Sequence, residues 1–171
     1  MSQHLSHPAS LDPSQLLKDC AQRRTRGSGP GGQHRNKVET AIELTHNPTG
    51  VTGAASERRS LADNRRNALF RLRVHLALDV RGEYAAGQPA SALWRSRCKG
   101  GRIALNPKHD DFPAMLAEAL DVIVALRCDV AGAATVLACS SSQLVKLLKE
   151  EPRALERVNL AREAAGLKRF R

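Results

Sequence analysis

The sequence predicts an α+β protein: a small mixed sheet with one long helix and an extended glycine-rich loop, followed by a C-terminal helical appendage. Apolar residues alternate over 38–45 as in a half-buried strand, repeat at helical spacing over 61–78, and keep helical spacing beyond residue 109. We therefore expect a disordered tail at 1–12, a first domain at 13–108, and a helical module with a short basic tail at 109–171.

The N-terminal elements follow from caps and turns. Asp12 caps a short helix that we expect at 14–22, with a proline in its first turn. The strand at 38–45 is followed by an Asn-Pro-Thr-Gly turn at 47–50 and by a second hairpin strand at 51–55. The glycine-rich loop therefore precedes a strand and not a helix.

The middle of the chain contains the long helix. Ser60, with an aspartate three residues later, caps a helix that we expect to end near residue 78. Residues 79–97 have an irregular pattern in which Trp94 anchors the chain to the core. Residues 102–105 predict a third strand.

The C-terminal module has only helical patterns. A helix opens near Asp110, residues 133–138 and 141–148 resemble a helix-turn-helix, and a last helix ends at Gly166. Residues 109–152 carry 3 basic and 7 acidic side chains, which argues against a DNA partner. A packing module is the first interpretation, and a ribosome or protein contact and DNA binding are the alternatives.

The overall charge indicates a polyanionic partner. The chain of 171 residues has 27 Lys and Arg against 17 Asp and Glu, a net charge of +10. Residues 1–108 hold 18 basic and 8 acidic side chains, and residues 153–171 hold 6 and 2. We therefore expect binding of a polyanion such as RNA or DNA in the first domain and in the tail.

The cysteines and the apolar segments exclude several classes. The four cysteines form no CxxC pair and lie near no paired histidines, so we expect reduced thiols, no metal and no cofactor. No run of about 18 apolar residues occurs, and the N-terminus has no basic and apolar leader pattern. We expect a cytoplasmic monomer without a membrane contact.

The segment Gly29-Pro30-Gly31-Gly32-Gln33-His34-Arg35 is the candidate catalytic loop. It lies within residues 23–37, which contain no acidic side chain. Two adjacent glycines allow positive φ, so that successive amides can converge on one oxygen. Glutamine neither titrates nor attacks, so the chemistry must rest on positioned amide dipoles and exclusion of competitors.

Two phosphate-binding motifs are excluded by their context. Gly27, Gly29 and Gly32 match the spacing of a dinucleotide fingerprint, but such a loop must open a helix, and a strand pattern follows here. A P-loop requires Lys and Ser or Thr after the last glycine, where this chain has Gln33 and His34.

Several segments together resemble the GGQ domain of class I peptide chain release factors and related ribosome-rescue hydrolases. They are Arg26–Thr40, Thr45–Gly50, Glu57–Ser60 and Asn64-Arg65, and the resemblance covers roughly residues 20–78. It implies that water hydrolyses the ester of the P-site peptidyl-tRNA in the peptidyl transferase centre of the large ribosomal subunit. Leu61 departs from the family, which commonly has a glutamine there.

The resemblance also implies residue roles. Gly31, Gly32 and Gln33 are the catalytic residues: the Gln33 main-chain N–H stabilises the reacting oxygen, and its side chain makes water the accepted nucleophile. Gln33 is also the expected site of N5-methylation by a release-factor glutamine methyltransferase. A general-base role is the alternative for His34, to which the resemblance assigns no proton transfer.

We expect RNA contacts from the loop, from a second basic patch and from the tail. The residues are Arg23, Arg24, Arg26, Ser28, His34, Arg35, Asn36, Lys37, Arg58, Arg59, Asn64, Arg65, Lys168, Arg169 and Arg171. For Arg66, Arg71 and Arg73, a solvated helix face is the alternative.

The expected function is codon-independent release of nascent peptide from stalled ribosomes, because 171 residues leave no room for domains that read stop codons. The tail is only weakly basic, unlike the long basic tail of the stand-alone bacterial rescue factor. Two alternatives stay open: a catalytically silent ribosome-binding or assembly protein, and a partner-dependent factor acting on split large subunits.

Overall fold

The computed structural model describes residues 7–25 and 40–171. The chain divides into two compact units, an N-terminal unit of Pro8–Val80 and a C-terminal unit of Arg81–Arg171 that includes His7. Together the helices and the small sheet confirm the α+β class. Within the described residues, the paired strands are all antiparallel. The sheet is therefore antiparallel, whereas a mixed sheet was expected.

The N-terminal unit is a three-stranded sheet covered by a long helix. Its elements are the 3-10 turns Pro8–Ser10 and Leu17–Asp19, the helices α1 (Pro13–Leu16) and α2 (Leu61–Asp79), and the strands β1 (Cys20–Thr25), β2 (Ala41–His46) and β3 (Thr52–Ala55). The strand order is β1-β2-β3. Short connections that reverse direction, such as the turn between β2 and β3, produce antiparallel neighbours.

The core of this unit lies between the sheet and α2. Ile42 and Leu44 of β2 and Leu72 and Leu76 of α2 are at most 2% exposed. Helix and sheet approach closely at Gly53, where an added Cβ would lie 2.4 Å from both the Ala68 carbonyl oxygen and the Leu72 nitrogen. No other residue fits there without moving backbone.

The predicted elements of the N-terminal unit are largely present. Ser60 caps α2 by accepting the N–H of Asp63 at 3.3 Å, as expected. The helix expected at 14–22 was wrong in its second half, because β1 begins at Cys20. Residues 21–24 are exposed on this edge strand, so they carry no alternating apolar pattern that a sequence could reveal.

The C-terminal unit is mainly helical. Its elements are α3 (Ala92–Arg97), β4 (Cys98–Lys99), β5 (Arg102–Ile103), α4 (Phe112–Ala125), α5 (Val130–Val136), α6 (Ser141–Lys149) and α7 (Pro152–Ala164). Trp94 is fully buried and donates its indole N–H to the Leu137 carbonyl at 2.7 Å. The expected anchoring role of Trp94 is therefore confirmed, within a helix that the irregular pattern did not predict.

Residues 81–108 were expected in the first domain, which was predicted to end at residue 108. In the structure they belong to the C-terminal unit. The predicted third strand is β5, which pairs with β4 in a separate two-stranded ribbon. This ribbon contacts α6, because the Ile103 N–H donates to the Gln143 side chain at 3.1 Å. Asp121 of α4 also accepts the Gly82 N–H at 3.0 Å, so residues 81–108 pack within the C-terminal unit.

Candidate functional site

The glycine-rich loop begins and ends at neighbouring positions of the sheet. β1 and β2 pair in antiparallel register from Cys20↔His46 to Thr25↔Ala41. Cα atoms paired in this way lie about 4.5–5.5 Å apart. The chain therefore leaves the sheet at Thr25 and re-enters it at Ala41 beside the same point.

The predicted catalytic residues and several predicted RNA contacts lie outside the described residues. They are Gly31, Gly32, Gln33, Arg26, Ser28, His34, Arg35, Asn36 and Lys37. The structure describes the two strand ends that flank this segment, at Thr25 and Ala41, together with the residues around them. We call these strand ends the base of the loop.

Asn64 holds the base of the loop together. Its side-chain amide donates to the Thr40 carbonyl at 2.6 Å and to the Arg58 carbonyl at 2.8 Å, and its oxygen accepts the Arg58 N–H at 2.9 Å. The side chain is 0% exposed. Thus Asn64, which the family resemblance assigned to RNA binding, lies in the interior with its amide bonded to backbone groups, and positions Thr40 and Arg58.

A second set of contacts fixes the segment before α2. The Glu57 carboxylate accepts from Asn67 at 2.9 Å, from Arg71 at 2.9 Å and from the Ser56 N–H at 3.0 Å. Burial raises the pKa of Glu57, but hydrogen bonds from its own and the Ser56 backbone, from Asn67 and from Arg71 outweigh it and lower the pKa to about 2. Arg71 also donates to the Ala54 carbonyl at 2.7 Å. The carboxylate is therefore ionised at neutral pH and ties this segment to α2 and β3.

Arg58 and Arg59 are exposed on this fixed segment. The backbone of Arg58 is held by Asn64, while its side chain faces solvent. The arrangement presents two cations close to Thr40, directly before the point where the chain re-enters the sheet at Ala41.

A groove with a cationic rim lies beside β1 and α2. Its volume is about 580 Å³, and it is lined by Leu17, Gln22, Arg24, Leu61, Ala62, Arg65, Arg66 and Leu69. Three leucines and an alanine supply its apolar lining, and three arginines line it as well. The structure thus brings the predicted residues Arg24 and Arg65 together and adds Arg66, although Arg66 also pairs with Asp63 at 3.4 Å. A chain segment with planar bases and phosphates has this combination of apolar faces and anionic charge.

Other basic residues of the N-terminal unit have contacts within the fold. Arg23 pairs across the strands with Glu43 at 3.1 Å and remains 71% exposed. Arg73 is buried, and its Nε donates to the Ala9 carbonyl at 3.1 Å. The solvated-face interpretation is therefore wrong for Arg73.

The basic tail folds back on α7. The Phe170 N–H and carbonyl bond the Asn159 side chain at 2.8 and 3.0 Å, and the Arg162 guanidinium lies 4.2 Å from the centre of the Phe170 ring. Arg169 pairs with Glu156 at 2.6 Å and with Glu163 at 2.9 Å. Of the predicted tail contacts, Arg169 is neutralised within the chain, while Lys168 and Arg171 are exposed.

The remaining sequence expectations concern metal and membrane sites. Within residues 7–25 and 40–171, no three His, Cys, Asp or Glu side chains are grouped so that they could hold a metal ion. The four cysteines are free, and burial raises the pKa of the Cys139 thiol to about 11. None of the described helices is long and apolar enough to cross a membrane.

The chain is similar to known release factors over its first part. The RF-1 domain family matches residues 15–103. Peptide chain release factor 1 of Acidiphilium cryptum is 48% identical over 65 residues, 38% of this chain and 18% of that protein. That of Xylella fastidiosa is 40% identical over 79 residues, 46% and 21% of the two chains. That of Mycoplasma genitalium is 42% identical over 104 residues, 61% and 27%.

This chain therefore spans only 18–27% of the length of these relatives. The family match, by contrast, covers just over half of the chain, and its residues 15–103 include the Gly-Gly-Gln sequence and both strands that bracket it. The chain belongs to the RF-1 domain family, whose domain contains the GGQ motif.

Proposed function

We propose that this protein hydrolyses the ester bond of peptidyl-tRNA in the ribosomal peptidyl transferase centre, independently of a stop codon. The observation that supports the proposal is that the chain on either side of the Gly31-Gly32-Gln33 segment is held at neighbouring positions of the sheet. Its two ends are held side by side by the pairing of Thr25 with Ala41 and by the Asn64 contact to Thr40. A fixed base lets binding contacts made around it determine where the loop is placed.

The chemistry follows from the residues of the motif. Water attacks the ester carbonyl carbon, a tetrahedral intermediate forms, and its collapse releases the peptide and the 3′-hydroxyl of the terminal adenosine. The Gln33 N–H donates to the developing negative charge on oxygen, a contribution of about 3–4 kcal/mol in a site without bulk water. The ribosome supplies the remaining groups, which agrees with a motif whose glutamine side chain is neither a strong base nor a nucleophile.

The basic residues around the base supply the RNA contacts. Arg58 and Arg59 are exposed beside the re-entry point, and Arg24, Arg65 and Arg66 surround the groove. Cations that contact phosphates fix register and orientation and carry no sequence information. That is what a factor needs when its substrate is the same tRNA end on every ribosome.

We propose, more specifically, that release by this protein does not require a stop codon. Beyond the RF-1 domain match, residues 104–171 consist of α4–α7 and the docked tail. We further propose a cytoplasmic monomer that acts on the large subunit without a cofactor.

A partner-dependent factor acting on split large subunits is the second candidate. One observation favours it over a tail placed in an empty mRNA channel: Arg169 is engaged by two carboxylates and Phe170 is held by Asn159. Extending the tail would break these contacts. A catalytically silent ribosome binder is the third candidate.

One comparison separates these functions. Release of labelled peptide would be measured on three complexes: ribosomes on truncated mRNA, ribosomes with a stop codon in the A site, and isolated large subunits carrying peptidyl-tRNA. Equal release from the first two supports codon independence, whereas release only at the stop codon overturns it. Release from large subunits alone supports the partner-dependent factor, and binding without release supports the silent binder.

The proposed methylation of Gln33 has its own test. Native protein would show an intact mass about 14 Da above the sequence value, placed on Gln33 by peptide mapping. An unmodified Gln33 in native material would contradict the methylation.

A further inference from the structure

We propose that the C-terminal unit carries a second RNA-binding surface, formed by the β4–β5 ribbon and helix α6. The surface is defined by four exposed cations, Lys99, Arg102, Lys146 and Lys149. Its ligand is the phosphate backbone of structured RNA. The choice of RNA rests on the proposed function, whereas the phosphate chemistry rests on the four exposed cations.

The segments that form this surface contain no acidic side chain. Residues 98–108 and 130–149 have no Asp or Glu. None of the four cations takes part in an ion pair among the residues that the structure describes. Other arginines of this unit are neutralised, for instance Arg97 by Asp111 and Arg169 by two glutamates.

The two cations of the ribbon point to the same side. Lys99 and Arg102 are directly opposite each other in the β4–β5 register, as are Cys98 and Ile103. Because side chains alternate along a strand, each pair has its own face. The Cys98 thiol contacts the Ala138 carbonyl at 3.4 Å, so the Cys98 pair faces the helices and the Lys99 pair faces outward.

Like charges directly opposite in an antiparallel pair repel each other. The ribbon nevertheless places Lys99 opposite Arg102 without a carboxylate in either strand. An anionic ligand would remove this repulsion. The turn between them, Gly100 and Gly101, has φ values of +55° and +75° and open space where a side chain would stand, so a bulky backbone can approach closely.

Helix α6 continues the surface. The ribbon is joined to its N-terminal end, since the Ser140 N–H donates to the Gly101 carbonyl at 3.3 Å and Gln143 accepts the Ile103 N–H at 3.1 Å. Lys146 lies one turn after Gln143, on the same side of α6, and Lys149 follows one turn later. The positive charge of the ribbon is thus extended along the helix.

The composition of the surface favours nucleic acid over an acidic protein. The large apolar side chains that are exposed in the described residues are Val124, Leu160 and Leu167, and none belongs to the ribbon or to α6. Protein interfaces have an apolar or aromatic centre, whereas backbone contacts to nucleic acid are made by Lys, Arg, serine hydroxyls and N–H groups. The exposed Ser141 and Ser142 at the start of α6 belong to that set.

The test uses the full chain and an RNA hairpin with a stem of about 16 base pairs, enough for two minor grooves of a duplex. Binding is measured over a series of salt concentrations for wild type and for the double variant Arg102→Gln, Lys146→Gln. We expect at least about tenfold weaker binding and a salt dependence whose slope falls by about 2, since each lost phosphate contact lowers it by about 1.

The matched control is the double variant Lys18→Gln, Arg127→Gln, which removes one lysine and one arginine at exposed positions outside the surface. It should leave the slope nearly unchanged. An equal loss in both variants would mean that net charge alone drives binding, and an unchanged affinity in the first variant would overturn the surface. Circular dichroism of all variants establishes that they fold.

Two further arms complete the test. A DNA duplex of equal length should bind less tightly, and equal or tighter DNA binding would overturn the choice of RNA. Peptide release by the wild-type chain is measured separately. The Arg102→Gln, Lys146→Gln variant could lose RNA affinity while wild type releases no peptide. That result would refute the proposed function but still support the RNA-binding surface.

Discussion

The buried amide of Asn64 should determine whether the base of the catalytic loop holds its shape. Asn64→Ala removes three hydrogen bonds and leaves two carbonyls and one N–H, of Thr40 and Arg58, without their partner. An unsatisfied buried polar group costs about 1–3 kcal/mol. Thr40 is half-buried and Arg58 is exposed, so water can reach part of the site. We therefore expect a loss of about 3 kcal/mol in the free energy of unfolding, near the lower end of the summed range.

Asn64→Asp gives a sharper test because the two side chains have nearly the same shape. One carboxylate oxygen can still accept the Arg58 N–H, but the other would face two carbonyl oxygens. The folded state therefore favours the protonated acid and raises its pKa above the unfolded value of about 3.9. Stability is then lost as pH rises from about 4 toward the raised pKa, by up to about 1.4 kcal/mol per pH unit.

The assay is urea unfolding followed by far-ultraviolet circular dichroism, at pH 4.5 and pH 7.5. Asn106→Asp is the control, because this exposed side chain accepts the Lys108 N–H through its oxygen at 2.8 Å, a contact that a carboxylate keeps, and the change should cost less than about 1 kcal/mol at both pH values. A loss below about 1 kcal/mol for Asn64→Ala, or the same penalty for Asn64→Asp at both pH values, would refute the positioning role.

Three further predictions concern the two units. Gly53→Ala should destabilise the N-terminal unit by at least about 2–3 kcal/mol in urea unfolding, because the added carbon meets helix backbone at 2.4 Å; a smaller loss would mean that sheet and helix separate easily. Burial raises the pKa of Asp121 to about 6 despite Arg81, so wild type should lose up to about 3 kcal/mol relative to Asp121→Asn between pH 4 and pH 7, and parallel stability curves would contradict this. Trp94→Phe should cost about 2–3 kcal/mol, measured by circular dichroism, because the Leu137 carbonyl loses its buried donor; an unchanged unfolding midpoint would show that water replaces it.

The sequence predicted the elements whose residues alternate between core and solvent. The long helix was recognisable because its buried leucines repeat at helical spacing and Ser60 caps it. The edge strand β1 was not recognisable, since residues 21–24 are exposed and its stability comes from pairing with β2. In the ribbon, β5 lies within the strand predicted at 102–105, whereas β4 was not predicted because its two residues are too few for any periodicity.

The site was predictable as chemistry but only partly as geometry. Arg24 and Arg65 line one groove because α2 packs on the sheet to which β1 is paired, which no local pattern encodes. Asn64 was selected by resemblance, and only the fold reveals that its amide is consumed by backbone. Its spacing of four residues from Ala68 and eight from Leu72, which are buried on the same side of α2, was the available signal.

The most direct test of the proposed function is peptide release from ribosomes stalled on truncated mRNA, measured together with ribosome binding. Wild type would be compared with Gly32→Ala and Gln33→Ala. The proposal predicts that wild type releases the peptide, and that Gly32→Ala binds as well but releases at least about 100-fold more slowly, the scale of losing one oriented donor. Release by Gly32→Ala at the wild-type rate, or tight binding of wild type without any release, would contradict it.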